Sequence, residues 1–251
     1  MSLSKEQIEK IKSYESQITT IEDFAEAVRK TVTQYLGYTG NKGFINMIRE
    51  IFQNSADELM KDDSPCDEIW TAFSEENQEF MVKDNGRGIP HDSLIRVFSS
   101  QHTSSNYNKK PGEFSSGRHG VGAKVTNACS EYFIVESYIL GKGKRVEFKL
   151  GDAKTAKITD LKYVENKQGT TVTFKPYEET MGKTTVTCQD VLKLIKSLVP
   201  LLKQGAKVVF NGQAIDGAKV KETIVNVDGL MDGLNTIVSK PIITPIRFGA
   251  L

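Results

Sequence analysis

The stretch Asp84-Asn85-Gly86-Arg87-Gly88-Ile89-Pro90 decides the fold, because two other segments complete a site around it. Upstream lies Glu50-Ile51-Phe52-Gln53-Asn54-Ser55-Ala56-Asp57-Glu58, and downstream lies Ser116-Gly117-Arg118-His119-Gly120-Val121-Gly122-Ala123-Lys124. Together they offer a carboxylate to orient a water, an amide oxygen for a metal, an aspartate for a base and glycines for phosphates. One such segment is weak evidence. Three in this order, within one domain's length, are strong.

The chain has 251 residues, enough for one large domain or for one domain with part of a second. Its 38% hydrophobic and 26% charged residues exclude a disordered chain. Cys66, Cys129 and Cys188 are odd in number and form no close pair, which reads as reduced thiols in an intracellular protein. A net charge of +1 gives no overall electrostatic case for nucleic acid. Lys109-Lys110 and Lys142-Gly143-Lys144-Arg145 are read as solvated loops. No apolar run approaches the roughly 20 residues of a membrane span, and Met1-Ser2-Leu3-Ser4-Lys5-Glu6 lacks a signal peptide's apolar core. The reading is a protein that is neither membrane-spanning nor secreted.

Apolar spacing predicts helices within residues 4–34, with Thr19-Thr20 capping the second, then a loop at 35–41 and a helix over 42–61. Strands are expected at 68–73 and 79–83 around a hairpin loop, and a short helix at 91–99. Residues 100–122 carry little apolar side chain and are expected to form a lid. A helix beginning at Ala123 follows, with strands at 132–138, 145–150 and 170–174. The remainder reads as a helix near 189–203, a strand at 207–210, a turn at Asn211-Gly212 and an extended apolar end. Helices and strands mix without regular βαβα alternation, so the expected class is α+β.

Glu50, Asn54 and Asp57 fall at i, i+4 and i+7 and share one helix face. Magnesium takes hard oxygen ligands, few of them from protein, and the Asn54 amide oxygen suits it. Glu50, one turn earlier, can orient and deprotonate a water. Asp84 ends a strand, and its carboxylate can accept the exocyclic amine of adenine. The glycines beside it allow close backbone approach to a flat base. Arg87 can pair with Glu58. Gly117-Arg118-His119-Gly120-Val121-Gly122 precedes a helix, whose first turn offers N–H groups to phosphates. Lys124 in that turn opposes the helix dipole, which makes sense beside a bound anion. His91, His102 and His119 show no ligand spacing for a metal.

These segments resemble the Bergerat-fold ATPases, the group that includes gyrase, chaperone ATPases, histidine kinases and mismatch-repair ATPases. Within that group the chain most resembles the ATPase domain of type IIA DNA topoisomerases. Thr103-Ser104-Ser105-Asn106-Tyr107, the 117–124 loop and Lys207-Val208-Val209-Phe210-Asn211-Gly212 are similar to the eukaryotic and viral branch. The resemblance implies a two-layer sandwich, a mixed sheet with helices on one face. It implies ATP and Mg2+, with Glu50 as general base and Asn54 as metal ligand. Asp84 would read adenine with Thr170 in support, through a water, and Gly88 would pass beside the base. Ser104, Ser105 and Asn106 would meet ribose or phosphate. Gly117, Arg118, His119, Gly120, Val121, Gly122, Ala123 and Lys124 would wrap the triphosphate, and Asp57, Arg87 and Ile89 complete the nucleotide set.

The resemblance further implies an arm over 1–37, the ATPase domain over 38–235 and the start of a transducer domain over 236–251. An ATP-dependent homodimer is expected, working with DNA and with a cleavage and religation module in the same or a separate chain. The cytoplasm is the expected location, or the nucleus in a eukaryote. Because family members take a phosphate-sensing lysine from the transducer, this chain alone is expected to turn over feebly. The alternatives are a chaperone-like or mismatch-repair-like dimer clamp, and a non-catalytic nucleotide-binding regulator.

Overall fold

Period-two alternation sets the sheet. In β1 (Glu68–Ser74) and β2 (Glu79–Asp84) every second residue is buried, giving Ile69, Thr71 and Phe73 on one strand and Phe80, Val82 and Asp84 on the other. The computed structural model describes residues 23–99 and 121–226. The other strands are β3 (Ser130–Ile139), β4 (Lys142–Lys149), β5 (Lys157–Leu161), β6 (Gly169–Pro176), β7 (Lys207–Gln213) and β8 (Lys219–Val225). They form one eight-stranded sheet in the order β5-β4-β3-β6-β2-β1-β7-β8. All neighbours are antiparallel except β1 and β7, which run parallel, so the sheet is mixed.

The helices are α1 (Phe24–Lys30), α2 (Val32–Leu36), α3 (Gly40–Leu59), α4 (Leu94–Ser99), α5 (Gly122–Ala128), α6 (Glu178–Met181) and α7 (Cys188–Leu198). In α3 the stripe Phe44, Met47, Ile48, Ile51, Phe52, Ala56 and Leu59 is buried against the sheet, which seats the helix across its middle. α7 starts with a capping box, Thr187 and Asp190 each satisfying the other's main-chain N–H. At the centre Phe174 of β6 meets Phe44, Phe80 and Phe133, with ring centroids 6.0, 6.0 and 6.1 Å away. Helices thus join the sheet through one shared core, the α+β class expected. No helix among the described residues is long and apolar enough to cross a membrane.

Several local readings change. Asn211 and Gly212 lie inside β7, not in a turn, and Gly212 pairs with Phe73 on one side and Val220 on the other. A Cβ at Gly212 would come within 2.6 Å of the Cys188 sulfur, so the glycine serves close packing of α7 on the sheet. The reversal comes later, where Ala214 N–H donates to the Ala218 carbonyl. Lys142 to Arg145 belong to β4, with Lys144 paired to Asp160 and Arg145 to Glu136 and Glu147. Asp23 caps α1 by accepting from Glu26 N–H at 2.8 Å, and Tyr35-Leu36 close α2 in place of the expected loop. α7 stops at Leu198 and continues only as a 3₁₀ turn over Val199–Leu201, since Pro200 supplies no N–H. β5, α6 and β8 have no counterpart in the sequence reading. Of the expected N-terminal arm, Ala25, Val28, Val32 and Leu36 are buried in the common core. Residues 1–22 of that arm, residues 100–120 of the expected lid and the C-terminal segment lie outside the described residues.

Phe174→Ala removes a fully buried ring at the meeting of α3, β2 and β3. It is expected to cost about 3–5 kcal/mol in urea unfolding. Lys162→Ala, on an exposed loop, is expected to stay within about 0.5 kcal/mol of the parent.

Candidate active site

β2 carries the alternation Phe80, Val82, Asp84 to its end, so a carboxylate arrives where the core expects a hydrocarbon. Asp84 is only 4% exposed and must find donors there. It finds them on separate elements. The Ser55 hydroxyl of α3 donates to Oδ2 at 2.9 Å. The main-chain N–H groups of Gly86 and Thr170 donate to Oδ1 at 3.0 and 3.1 Å. Burial pushes the Asp84 carboxyl up, and those hydrogen bonds pull in the opposite direction. Thr170 therefore meets Asp84 through its own backbone N–H.

The turn after Asp84 is pinned on both sides. Asn85 turns back to the start of β1, its Oδ1 accepting from the N–H groups of Asp67 and Glu68, both at 3.2 Å. Arg87 forks onto Glu58 of α3, with Nε 2.9 Å from Oε1 and Nη2 3.1 Å from Oε2, and also reaches Asp63 at 2.7 Å. Ser64 and Lys61 donate to the same Glu58. Burial alone would raise the Glu58 carboxyl, but the Arg87, Ser64 and Lys61 donors outweigh it and hold the group at about 2. On the other side the Ser137 hydroxyl of β3 accepts from Ile89 N–H and donates to the Ile89 carbonyl, each at 2.8 Å.

The glycines answer to protein neighbours as well as to any ligand. Gly88 has φ +77°, and a Cβ there would collide with the Tyr138 carbonyl oxygen. A Cβ at Gly86 would overlap the Glu58 side chain. The sequence reading attributes this freedom to approach by a base, whereas here the close neighbours are β3 and α3.

The outer face of α3 brings in the remaining groups. Asn54 is exposed, while Glu50 and Asp57 are half-buried. Glu50 lies against the first turn of α5, so that a Cβ at Gly122 would overlap its carboxylate. Burial raises the Glu50 carboxyl, nearby Arg49 lowers it, and Asp57 raises it again. Lys124, one turn into α5, is 1% exposed, and burial pushes its ammonium down. Glu50 and Gly122, far apart in sequence, are thus neighbours, and Lys124 follows Gly122 in the same helical turn. Val121 and Ala123 flank Gly122 there. Ser104, Ser105, Asn106, Gly117, Arg118, His119 and Gly120 lie outside the described residues.

Residues 41–180, more than half of the chain, match the family described as histidine kinase-, DNA gyrase B-, and HSP90-like ATPase. The chain belongs to that ATPase family. It is 31% identical over 206 residues to the DNA gyrase B protein of Thermus thermophilus, a match that spans 79% of this chain and 32% of the relative. It is 34% identical over 204 residues to the gyrase B protein of Halalkalibacterium halodurans, covering 77% and 31%. It therefore spans about a third of the length of these gyrase B relatives. The fold matches the crystal structure of the 43K ATPase domain of Thermus thermophilus gyrase B in complex with an aminocoumarin. That likeness has a TM-score of 0.69 at 26% identity and covers 86% of this chain and 55% of that one. This is the mixed-sheet architecture expected from the three motifs, and it makes the chain homologous to an ATP-binding gyrase B domain.

The sequence reading passed over Ser55, Ser137 and Gly169. Ser55 sits in the apolar stripe of α3 and Ser137 continues the buried phase Phe133, Val135 in β3, so each was detectable as a hydroxyl on a core-facing position. Gly169 has φ +115° and lies so close to the Asp84 carbonyl that no Cβ fits. Its need arises from a contact between distant strands, which no local pattern announces.

A carboxyl held at about 2 in place of 4.5 contributes stability at neutral pH, on the order of 1–2 kcal/mol once solvent screening at the partly exposed Arg87 is allowed for. Because the folded value is depressed, that stability is complete above pH 4.5 and is lost as pH falls toward 2. Thermal melts of Glu58→Gln and the parent are expected to differ widely at pH 6 and to converge on acidification. A gap that ignores pH would assign the loss to packing instead of charge.

Proposed function

We propose that this chain is the ATP-binding and ATP-hydrolysing module of a type II DNA topoisomerase. ATP binding would close a gate between two copies of the chain, and hydrolysis would reopen it during DNA strand passage by the complete enzyme, with its cleavage and religation module. The observation that carries the nucleotide reading is the buried Asp84 carboxylate, held by donors from α3, the following turn and β6, with Glu50 and Asn54 on the same helix α3 as its Ser55 donor. An acceptor fixed in that way suits an exocyclic amine and disfavours the carbonyl that guanine presents at the same ring position. The gyrase B homology supports the topoisomerase assignment over other clamps of the family.

The donor set fits Mg2+ with ATP. The exposed Asn54 amide oxygen would hold the metal beside the Glu50 and Asp57 carboxylates, a hard-oxygen environment that leaves room for phosphate and water. When bound, the metal would neutralise phosphate charge. Glu50 would orient a water in line with the γ-phosphorus and take its proton as the new P–O bond forms. The bond to the bridging oxygen then breaks, giving ADP and phosphate. A carboxyl raised by burial is a stronger base than an ordinary one, which suits Glu50 to that task. Buried Lys124 and the first turn of α5 stand on the side where the phosphates would lie.

Titration of the chain with ATP and GTP in the presence of magnesium is expected to show a clear preference for ATP. Asp84→Asn is expected to weaken ATP binding at least ten-fold and erase that preference, since an amide can donate to guanine's carbonyl. Glu50→Gln is expected to keep ATP affinity within about three-fold while lowering hydrolysis a hundred-fold or more. Equal affinity of the parent for the two nucleotides would refute the role given to Asp84.

A further inference from the structure

Hydroxyls in and just beyond the helices of this chain normally return to their own backbone. Thr31 donates to the Ala27 carbonyl, Ser99 to Ile95, Ser130 to Thr126 and Ser197 to Leu194. Ser55 breaks the pattern. From the middle of α3 it donates across to Asp84 Oδ2, and the hydroxyl is buried with its partner.

An ionised carboxylate offers about four acceptor sites, two on each oxygen. On Asp84, Oδ1 takes the N–H groups of Gly86 and Thr170, which fills it. Oδ2 takes Ser55, which leaves it room for one more donor. We infer that Ser55 is the positioning residue for nucleotide selection, fixing Asp84 so that Oδ2 keeps a single free acceptor site for one N–H of a 6-aminopurine. This rests on the reading of Asp84 as the base-recognising group. Without the hydroxyl, the carboxylate keeps its Oδ1 partners but Oδ2 is free to rotate or to take a proton.

The second consequence is a pH dependence. The charged and titratable groups around Asp84 are Glu58 on α3, Cys66 ahead of β1 with Lys203 beside it, and Arg87 in the turn, itself bound to Glu58. Burial raises Asp84 and Glu58 adds to the rise, so Ser55 is one of the few donors acting against it. Amine recognition needs the ionised form, and ATP affinity therefore falls as pH drops through the Asp84 value. Removing Ser55 moves that fall to higher pH.

The test measures dissociation constants of ATP and GTP with the full chain from pH 5 to 9, for the parent, Ser55→Ala, Ser55→Thr and Asp84→Asn. Ser55→Ala is expected to lose about ten-fold in ATP affinity with GTP unchanged. The acid limb of its ATP profile is expected to shift to higher pH, and Ser55→Thr to restore both. Should the alanine variant fold poorly, Ser55→Cys, nearly isosteric with a weaker donor, is expected to give the same shift in part. An unchanged ATP-to-GTP ratio and acid limb in Ser55→Ala, with Asp84→Asn still losing the preference, overturns the role of Ser55 alone. An unchanged ratio in Asp84→Asn removes the base-reading role and this inference with it.

Discussion

The carboxylate of Asp84 lies on the core side of the sheet, and much of the architecture around it follows from keeping a charge there. An unpaired carboxylate at 4% exposure is costly, and it persists because donors from α3, the following turn and β6 surround it. Each donor belongs to a different element, so satisfying one side chain fixes the relative placement of all of them. Gly169 shows how tight that arrangement is. Its Cβ-free backbone passes directly against the Asp84 carbonyl, which brings the Thr170 N–H within reach of Oδ1. The aromatic cluster around Phe174 draws on the same elements, so the apolar core and the donors around Asp84 share β2, β6 and α3.

Around that centre, two further contacts keep the turn from moving independently. Glu58, itself on α3, holds Arg87 by its guanidinium and its main-chain N–H, while Ser137 on β3 grips both backbone groups of Ile89. Gly88 lies between these anchors in a left-handed conformation against the Tyr138 carbonyl. The turn is thus bonded on one flank to a helix and on the other to a strand. A rigid acceptor is what selection between two purines requires, since a mobile one could adapt to either.

The sequence made some of this visible and hid the rest for physical reasons. The apolar stripe of α3 and the alternation in β1, β2 and β6 are local periodicities, and the elements stand close to where they were expected. The ATPase family was readable because the segments around Glu50, Asn54 and Asp84 are short and local in sequence. Asn211-Gly212 misled because a dipeptide common in turns is here a strand segment, its glycine present to admit the Cys188 sulfur. The close approach of Glu50 to Gly122 joins residues far apart in the chain, and no period encodes such a meeting. β5 is an edge strand with almost every side chain exposed, and the opposite edge strand β8 turns only Val220 and Ile224 toward the core among charged neighbours, so both carry a weak apolar signal.

Burial alone does not make a polar residue functional. Thr71 lies between Ile69 and Phe73, fully buried, and gives its hydroxyl to the Val209 carbonyl on the neighbouring strand. That bond closes within the sheet and leads nowhere further. Ser55 and Ser137 differ in where their bonds point, since both converge on the segment from Asp84 to Ile89. Convergence of buried hydroxyls from separate elements on one turn is the sign that the turn must not move. Ser55 also neighbours Asn54, whose side chain is exposed while that of Ser55 is buried. A single turn of α3 therefore bears on its inner side the donor to Asp84 and on its outer side the residues suited to metal and water. A shift of α3 would move Ser55 and Asn54 together, because both ride on the same helical turn.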